Sequence, residues 1–290
     1  MTLGLREDLK SKKFIVTADV IQPKGTALYK KLQALEILKG KVAAINAVDM
    51  PSGIMRLSAL ATCVKLKEMG FEPILQLVGR DRNRISIQSE LLGAYVLEIR
   101  NVLCLTGDDV NRSDNPNTKG VFDLDSLGIL EAARQLESGF DLGGNRLDGT
   151  PEFCLGAALD PGAKNQEDEV KKACLKAEAG AKFFQTQPVF EIEPFIKFLK
   201  KVDHLGVPIL GGVFILKSAA SAHFLNKNIP GINVPDSVLS ELEKGDAESK
   251  SINITIRLIR DIVKVCAGVH IMMTTPWHHW IPHILDEVGI

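Results

Sequence analysis

The chain has 290 residues, of which 45% are hydrophobic and 24% charged, an ordinary balance for a globular protein. This length allows two small domains or one large α/β domain, because α/β barrels of roughly 250 residues form single domains. Lysine and arginine total 35 against 36 acidic residues, so the net charge is −1, which argues against an electrostatic surface for nucleic acid or an anionic membrane. Only 6% of the residues are aromatic, which argues against a surface for stacking bases.

No apolar run reaches the about 20 residues that a membrane helix needs, and the N-terminal stretch lacks the apolar segment of a secretory signal. The five cysteines are odd in number, show no CxxC spacing and lie mostly in apolar runs. They predict buried thiols in a cytoplasmic protein, rather than disulfides or a zinc site.

Eight short runs rich in β-branched and other apolar residues follow one another along the chain. Most are nearly continuous in apolar residues, which is typical of strands buried on both faces. The predicted strands are FIVTADV (14–20), KVAAINAV (41–48), EPILQLV (72–78), NVLCLTG (101–107), FCLGAAL (153–159), KFFQTQP (182–188), VPILGGVF (207–214) and GVHIMMT (268–274).

Helical patterns separate these strands. Serine or threonine near several starts predicts capped first turns, and glycine after several ends predicts where the helices stop. The predicted helices are TALYKKLQALEIL (26–38), SALATCVKLKEM (58–69), SIQSELLGAYVL (86–97), LDSLGILEAARQL (124–136), EDEVKKACLKAEAG (167–180), EPFIKFLKK (193–201), SAASAHFLN (218–226) and SINITIRLIRDIVKVC (251–266).

Strands that alternate with helices pair in parallel through right-handed crossovers. The count of eight predicts a single (β/α)8 TIM barrel of the α/β class, with residues 1–290 as one domain. An extra short helix, VPDSVLSELEKG, is predicted within residues 227–250, before the last helix–strand unit. An open doubly wound sheet is the alternative, but it needs a GxGxxG fingerprint after an early strand, and the nearest candidate, GLREDLKSKK, does not match it.

Catalytic residues of such barrels come from the carboxyl ends of the strands and from the loops that follow them. The polar loop 107–121 follows strand 4 and is predicted on this face, whereas residues 137–152 are predicted on the opposite face. Asp19 lies inside the apolar run VTADV, where burial favours the protonated carboxyl group and suits a general acid. A structural carboxylate bonded to a neighbouring strand is the alternative.

The run GRDRNR after strand 3 contains Arg80, Arg82 and Arg84, a cluster that could clamp a phosphate or carboxylate. A solvated loop with Asp81 as the local partner is the favoured interpretation for any one of these arginines.

Two further strand ends carry polar residues. Gly107 in LTGDD would let a ligand approach the backbone and Asp108 would face the site, with ordinary turn chemistry as the alternative. Of Gln185 and Gln187 in FFQTQP, one is predicted to point into the barrel. An inward amide suits a heterocycle that both donates and accepts hydrogen bonds.

The C-terminal segment TTPWHHWIPHIL holds His278, His279 and His283. The last two are spaced to share a helix face, but no carboxylate or cysteine stands nearby at ligand spacing, and Pro282 is expected to interrupt the helix. We therefore expect packing or surface roles for these histidines and no metal site. The chain also lacks a GxSxG elbow and a P-loop, and no lysine lies within an apolar strand, as a Schiff base would require.

Several longer segments together resemble the methylenetetrahydrofolate reductase family. The likeness runs from about residue 13 to 285, and it is greatest to the short bacterial form and to the reductase half of bifunctional homocysteine methyltransferase/reductase proteins. The segments that carry it are RDRNRISIQSELLGAYVLEIRNVLCLTGD (80–108), GVFDLDSLG (120–128), AGAKFFQTQPVFE (179–191), VPILGGVFILKS (207–218) and IPGINVPD (229–236).

The resemblance implies a TIM barrel that binds a flavin, normally FAD with FMN as the alternative, at the carboxyl ends of the strands. It implies that the reduced flavin passes a hydride to 5,10-methylenetetrahydrofolate and gives 5-methyltetrahydrofolate, with NAD(P)H as the electron donor. A homo-oligomer is implied as well.

By the same resemblance, Asp19 is the general acid that opens the five-membered ring of the folate. Asp108 lies near the flavin and the pterin, where its charge would stabilise the developing cation. Gln187 and Phe190 match positions that bind the pterin. The positions implied to contact the flavin are Asn46, Gln76, Thr106, Gly107, Asp108, Phe122, Asp123, Leu159 and Lys176, the last two around its ribityl and phosphate groups.

Three positions depart from the family pattern. Asp19 stands where the family usually has glutamate, the proline after the strand 7 glycine is replaced in GGVFILKS, and an arginine expected near the end of strand 8 is replaced around Trp277. Two alternatives follow from these departures. One is a reductase subunit that takes electrons from a partner protein, and the other is a catalytically degenerate folate-binding subunit.

Overall fold

The computed structural model describes residues 4–11, 13–229, 232–273 and 277–290, without the side chains of Arg112 and Trp277. Its eight strands are all parallel and close into a barrel in which the first strand pairs with the last, which confirms the predicted TIM barrel. The strands are β1 Ile15–Val20, β2 Ala44–Ala47, β3 Pro73–Val78, β4 Asn101–Leu105, β5 Cys154–Leu159, β6 Phe183–Pro188, β7 Ile209–Phe214 and β8 Gly268–Met272.

The helices surround the barrel, and the predicted serine caps are found at two of them, Ser58 and Ser218, whereas the other side-chain caps are asparagine or aspartate. Side chains of Ser58, Asn83, Asp125, Asn165, Ser218 and Asp246 accept hydrogen bonds from first-turn N–H groups. The helices are α1 Leu5–Lys10, α2 Leu28–Gln33, α3 Ala59–Glu68, α4 Arg84–Val96, α5 Ser126–Glu137, α6 Gln166–Glu178, α7 Ile192–Val202, α8 Ala219–Asn228, α9 Asp236–Leu242, α10 Ala247–Ile262 and α11 Trp280–Val288.

The short helix α9 lies where the sequence predicts it, before the last helix–strand unit. Two expectations change at the chain ends. Helix α1 precedes the first strand and its Leu5 is fully buried, although no helix is predicted there. Pro282 does not interrupt the C-terminal helix, because it lies in the first turn of α11, where its missing N–H would have no partner within the helix.

The barrel interior has an apolar floor at the amino ends of the strands. Alternate strand residues point inward, and those of the lowest level pack against Leu5 of α1. The floor is formed by Ile15, Ala44, Ile74, Leu103, Cys154, Phe183 and Leu210. Gly156 makes room for the Phe183 ring, because a Cβ atom at Gly156 would collide with that ring. The polar inward residues therefore lie above this floor, towards the carboxyl ends of the strands.

All five cysteines carry free thiols, three of them buried and two half-buried. Burial raises the pKa of the Cys154 and Cys266 thiols to about 12. Within the described ranges, no helix combines the length and the hydropathy that crossing a membrane requires.

Candidate functional site

The predicted site residues meet at one end of the barrel, which we call the mouth: the carboxyl ends of the strands and the loops after them. Asp19 projects inward from β1, and Gln187 lies near the end of β6. Thr106, Gly107 and Asp108 follow the end of β4. Strand alternation and parallel pairing thus bring together residues that lie far apart in the sequence.

Asp19 stands beside a histidine that sequence reasoning did not select. Its Oδ1 atom lies 3.3 Å from Nε2 of His270 on β8, and the Asp19 side chain keeps 12% of its surface exposed. The same imidazole places Nδ1 2.9 Å from the hydroxyl of Thr17. The register pairs Thr17 with His270 across β1 and β8, so the imidazole sits between a hydroxyl and a carboxylate.

Beneath the mouth, two amides form a reciprocal pair. Asn46 donates to Oε1 of Gln185 at 2.7 Å, and Gln185 donates to Oδ1 of Asn46 at 3.2 Å. Gln185 also donates to the Thr17 hydroxyl at 3.2 Å. Asn46 is completely buried, so its side chain is engaged within the barrel and not displayed at the surface. The inward glutamine of the FFQTQP run is therefore Gln185.

Gln187 reaches the rim of the mouth through an irregularity in β6. The register between β6 and β7 shifts between Gln185 and Pro188, and Gln187 is exposed. Thr186 stabilises this irregularity, because its hydroxyl accepts a hydrogen bond from Gly212 N and donates one to Gln187 O, both at 2.8 Å. Gly212 is required there, since a Cβ atom would collide with the Thr186 carbonyl oxygen. Bulges of this kind re-aim side chains next to functional sites.

Phe190, two residues beyond β6, is half-buried. It packs against the apolar cluster formed by α8, α9 and the segment after β7. Phe190 therefore lies on the β6 side of the mouth.

Asp108 holds the loop that follows β2. Its Oδ2 atom accepts a hydrogen bond of 2.8 Å from Ser52 N. Met50 and Ser52 both adopt left-handed backbone conformations, with φ of 47° and 55°. Each such residue costs about 1–2 kcal/mol when it is not glycine. Arg80 also stabilises this loop, because its Nη2 donates a hydrogen bond of 3.0 Å to the Met50 carbonyl.

Each arginine of the GRDRNR run has a carboxylate partner. Arg80 pairs with Asp81, which confirms the predicted local partner, but Arg80 is buried and not solvated. Arg82 pairs with Asp49 at 2.6 Å, and Arg84 pairs with Asp123 at 2.7 Å. The pairing with Arg84 lowers the pKa of Asp123 to about 2.

The backbone around Gly107 is shaped by packing within the protein. Gly107 has φ of +92°, and a Cβ atom there would lie 2.8 Å from the Arg80 Cβ atom. The Thr106 hydroxyl accepts from Ser126 N at 3.1 Å, which ties the loop to the start of α5. Phe122 stands in the same loop with φ of 45° and 42% of its surface exposed. Strained backbone conformations cluster at active sites and ligand clamps.

Two predicted cofactor contacts, Leu159 and Lys176, lie away from the open mouth, and a third is buried within a strand. Leu159 is buried and packs in the layer between the strands and the helices. Lys176 of α6 donates to the Ala158 carbonyl at 2.7 Å, and burial lowers the pKa of its ammonium group. Gln76 is buried within β3, with 8% of its surface exposed.

These placements test whether the residues fit the flavin that the resemblance implies. The exposed Phe122 ring and the backbone of residues 106–108 offer an apolar surface and polar groups, which suit a flat heterocyclic ring. Lys176 does not fit a phosphate group, because its ammonium is committed to a carbonyl inside the protein. The first turn of α6 carries Glu167, Asp168 and Glu169, which would repel a phosphate. The described residues therefore fit the ring system, but not a phosphate at Lys176.

Sequence reasoning missed two polar residues near Asp19. Thr17 and His270 could have been found by the argument that selected Asp19, since each is a polar residue at an inward position of an apolar strand. His278, which is buried, places Nε2 3.2 Å from the Asp19 carbonyl oxygen. Gln22, in the loop after β1, is fully buried, and neither of its amide atoms has a hydrogen-bond partner among the described residues.

The remaining histidines of the C-terminal segment do not gather into a cluster. His279 caps α11 and His283 is exposed on it. Across the described part of the chain, no group of three or more His, Cys, Asp or Glu side chains is placed to hold a metal ion. The departure expected around Trp277 falls on residues 274–276 and the Trp277 side chain, which lie outside the described residues.

A closed (β/α)8 barrel with Asp19, Asp108 and Gln187 at its mouth belongs to the large class of barrels that build ligand sites at the carboxyl ends of their strands. Within that class, the family model for methylenetetrahydrofolate reductase matches residues 4–289, and the chain belongs to that family.

Two curated relatives come from Schizosaccharomyces pombe (strain 972 / ATCC 24843). Methylenetetrahydrofolate reductase 1 is 23% identical over 188 residues, covering 61% of this chain and 29% of that protein. Methylenetetrahydrofolate reductase 2 is 25% identical over 207 residues, covering 66% of this chain and 30% of that protein. The chain therefore spans less than a third of the length of these relatives.

Solved structures support the fold. A Clostridium thermocellum protein that binds two copies of 5-methyl-5,6,7,8-tetrahydrofolic acid superposes with a TM-score of 0.71 at 16% identity, covering 98% of this chain and 99% of that one. A 2,3-dimethylmalate lyase of the PEP mutase/isocitrate lyase superfamily superposes with a TM-score of 0.52 at 15% identity, covering 99% and 87%. At these identities the likeness shows the shared barrel alone.

Proposed function

We propose that the protein reduces 5,10-methylenetetrahydrofolate to 5-methyltetrahydrofolate. The observation that carries the proposal is the meeting of Asp19, Asp108 and Gln187 at one mouth, in a chain whose whole length matches the reductase family. Support also comes from the Clostridium thermocellum protein of the same fold, which binds the methylated folate that this reaction would produce.

Asp19 would start the reaction as a general acid. Its carboxyl group protonates N10 of the folate, which opens the five-membered ring and leaves an iminium cation at N5. The 12% of the side chain that stays exposed gives the substrate access to it. Proton transfer requires hydrogen-bond reach, about 2.6–3.2 Å directly or through one water molecule. The aspartate is shorter than the usual family glutamate, so the folate must bind deeper or use such a water.

Asp108 and Gln187 would hold the folate ring and its charge. Asp108 has one carboxylate oxygen bound to Ser52 N, and its remaining oxygen provides negative charge for the cation. Gln187 supplies an amide that both donates to and accepts from the pterin. Phe190 supplies the apolar wall beside Gln187.

Proteins of this family are generally flavin-dependent, and a flavin bound at this mouth would supply the hydride from its N5 atom. Of this chain, the backbone of residues 106–108 and the Phe122 ring would hold the flavin ring. FAD, with FMN as the alternative, is proposed as the cofactor, and NAD(P)H is proposed as the electron donor.

The decisive experiment substitutes the proposed acid. Asp19→Asn keeps nearly the same volume but removes the transferable proton. We expect reduction of the flavin by NADH or NADPH to stay nearly unchanged, while oxidation of the reduced flavin by the folate falls by roughly 10²–10⁴-fold, the usual range for a lost acid. Stopped-flow absorbance of the flavin measures both steps separately.

Asp19→Glu is the matched control, because it restores the acid at the family's usual length. Retained activity in Asp19→Glu with loss in Asp19→Asn supports the acid role. An Asp19→Asn protein that reacts with the folate at the parent rate would remove Asp19 from the mechanism. Failure of the parent protein to take up any flavin would instead favour a folate-binding subunit without catalysis.

A further inference from the structure

The polar residues inside the barrel form one connected chain that ends at Asp19. It runs from the Asn46–Gln185 amide pair to the Thr17 hydroxyl, then to His270, and then to the Asp19 carboxylate. All of the first four are buried, with no more than 3% of their surface exposed. A buried chain of this kind restricts where each hydrogen resides, because every group depends on its neighbour for a partner.

The direction of the chain determines which nitrogen of His270 carries the hydrogen. Gln185 directs an N–H at the Thr17 oxygen, so the hydroxyl hydrogen is left to donate elsewhere. Among the described residues, Nδ1 of His270 is the acceptor within its reach, at 2.9 Å. A hydroxyl that donates there requires an unprotonated Nδ1, and a neutral imidazole then carries its one hydrogen on Nε2. That hydrogen faces Oδ1 of Asp19.

We propose that Asn46, Gln185 and Thr17 are positioning residues that fix His270 as the neutral Nε2–H tautomer, and that this tautomer keeps the catalytic proton of Asp19 on Oδ2. The proposal rests on the proposed function of Asp19 as an acid. Oδ1 is fully buried and faces the imidazole, whereas the exposed part of the side chain faces the mouth. When Nε2–H occupies Oδ1, a protonated carboxyl group can carry its hydrogen only on Oδ2.

The opposite tautomer would misdirect the proton. An unprotonated Nε2 would accept a hydrogen from Oδ1, and the acidic proton would point into the barrel instead of towards the folate. Nε2 and Oδ1 are 3.3 Å apart, without the alignment of a hydrogen bond. Catalytic contacts of this kind are often long before the substrate binds, and they tighten in the complex.

Other titratable groups face Asp19 as well. His278, from the segment after β8, contacts the Asp19 carbonyl, and burial lowers the pKa of that histidine. Lys31 of α2 acts on His278 through its charge. On the β2 side the register neighbour of Asp19 is the neutral Asn46. Any pH profile of Asp19 must therefore be compared with that of a His278 variant.

The test exchanges the hydroxyl of Thr17. Thr17→Val keeps the shape but removes the donor to Nδ1, and Thr17→Ser keeps the donor and serves as the matched control. Long-range ¹H–¹⁵N NMR of protein labelled at histidine reads the tautomer directly, and His270→Gln assigns the signal. We expect the Nε2–H tautomer in the parent and in Thr17→Ser, and a mixture of tautomers in Thr17→Val. An Nδ1–H tautomer in the parent would overturn the proposal.

The rate measurement connects the tautomer to catalysis. We expect Thr17→Val to slow folate reduction by about 10–100-fold, less than the full loss of an acid, with folate affinity unchanged and the pH profile of the rate shifted. Thr17→Ser should stay within about threefold of the parent, since it keeps the donor. Equal losses in both variants would reduce Thr17 to a packing role and overturn the proposal. A parent protein that does not reduce folate would refute the proposed function, while the NMR signal would still decide the tautomer.

Discussion

Asp108 offers a test that separates a structural role from a chemical one. The carboxylate accepts from Ser52 N at 2.8 Å and holds a loop in which Met50 and Ser52 are left-handed. A hydrogen bond to a charged acceptor contributes about 1.5–3 kcal/mol, and exposure to water reduces this to about 1 kcal/mol here. The two left-handed residues together oppose the loop by about 2–4 kcal/mol, so this bond is a sizeable part of what keeps it in place.

Two substitutions divide the roles of Asp108. Asp108→Asn keeps an oxygen that accepts from Ser52 N but removes the charge, whereas Asp108→Ala removes both. Urea unfolding should show a loss of about 1 kcal/mol for Asp108→Ala and less than about 0.5 kcal/mol for Asp108→Asn. Cleavage within residues 50–53 by a protease should become faster only in Asp108→Ala.

Both substitutions should slow folate reduction, because both remove the charge proposed to stabilise the cation. For a unit charge within about 6 Å of a cation, Coulomb's law at an effective dielectric constant of about 20 gives about 3 kcal/mol, which is about 100-fold in rate. Stopped-flow oxidation of the reduced flavin by the folate measures this step. Equal loss of stability in the two variants would refute the loop-holding role, and an Asp108→Asn protein with the parent rate would refute the electrostatic one.

Three further substitutions test other parts of the mouth. Gln187→Ala should raise the KM for the folate and leave flavin reduction by NAD(P)H unchanged, since an unpaired pterin edge costs about 1–3 kcal/mol. Steady-state and half-reaction kinetics measure the two steps, and equal losses in folate use and in flavin reduction would contradict a role in pterin binding. Gly212→Ala should lower the free energy of unfolding by about 1–3 kcal/mol, because its Cβ atom collides with the Thr186 carbonyl. The collision should displace β6 and so weaken folate binding measured by calorimetry. A variant as stable as the parent would contradict the strand contact. Burial lowers the pKa of His278, so the unfolded chain takes up a proton below about pH 6.5 that the folded protein resists, and the free energy of unfolding falls as the pH falls. His278→Gln should remove up to about 1.4 kcal/mol per pH unit of that slope in urea unfolding between pH 7.5 and 5.5, and an unchanged slope would assign it to other groups.

The fold could be predicted because its signals are local. Each apolar run of about six residues reports one buried strand, and a serine cap, such as Ser58 or Ser218, reports the start of one helix. Eight repeats of the same pattern leave few topologies other than a closed barrel. Helix α1 escaped prediction because six residues carry too little periodicity to identify a helix.

The contacts of the site residues could be predicted only in part, because they join distant segments. The sequence places Asp19 and Asp108 at strand ends, but it does not reveal that Asp19 meets His270 or that Asp108 meets Ser52. The resemblance assigned Lys176 to a phosphate without showing its direction, and the structure turns its ammonium group to the Ala158 carbonyl. Tertiary pairing decides whether a charged side chain is available to a ligand.

The polar middle of the barrel links the stability of the protein to its chemistry. A buried amide or hydroxyl without a partner costs about 1–3 kcal/mol, so the pairing of Asn46, Gln185 and Thr17 with one another stabilises the closed barrel. The same pairing directs the Thr17 hydroxyl to His270 and the His270 hydrogen to Asp19. An apolar replacement of the whole chain of contacts would satisfy the fold equally well, since it leaves no group without a partner. On the proposed function, a polar chain that ends on a carboxylate at the mouth positions a proton, which an apolar barrel middle could not do.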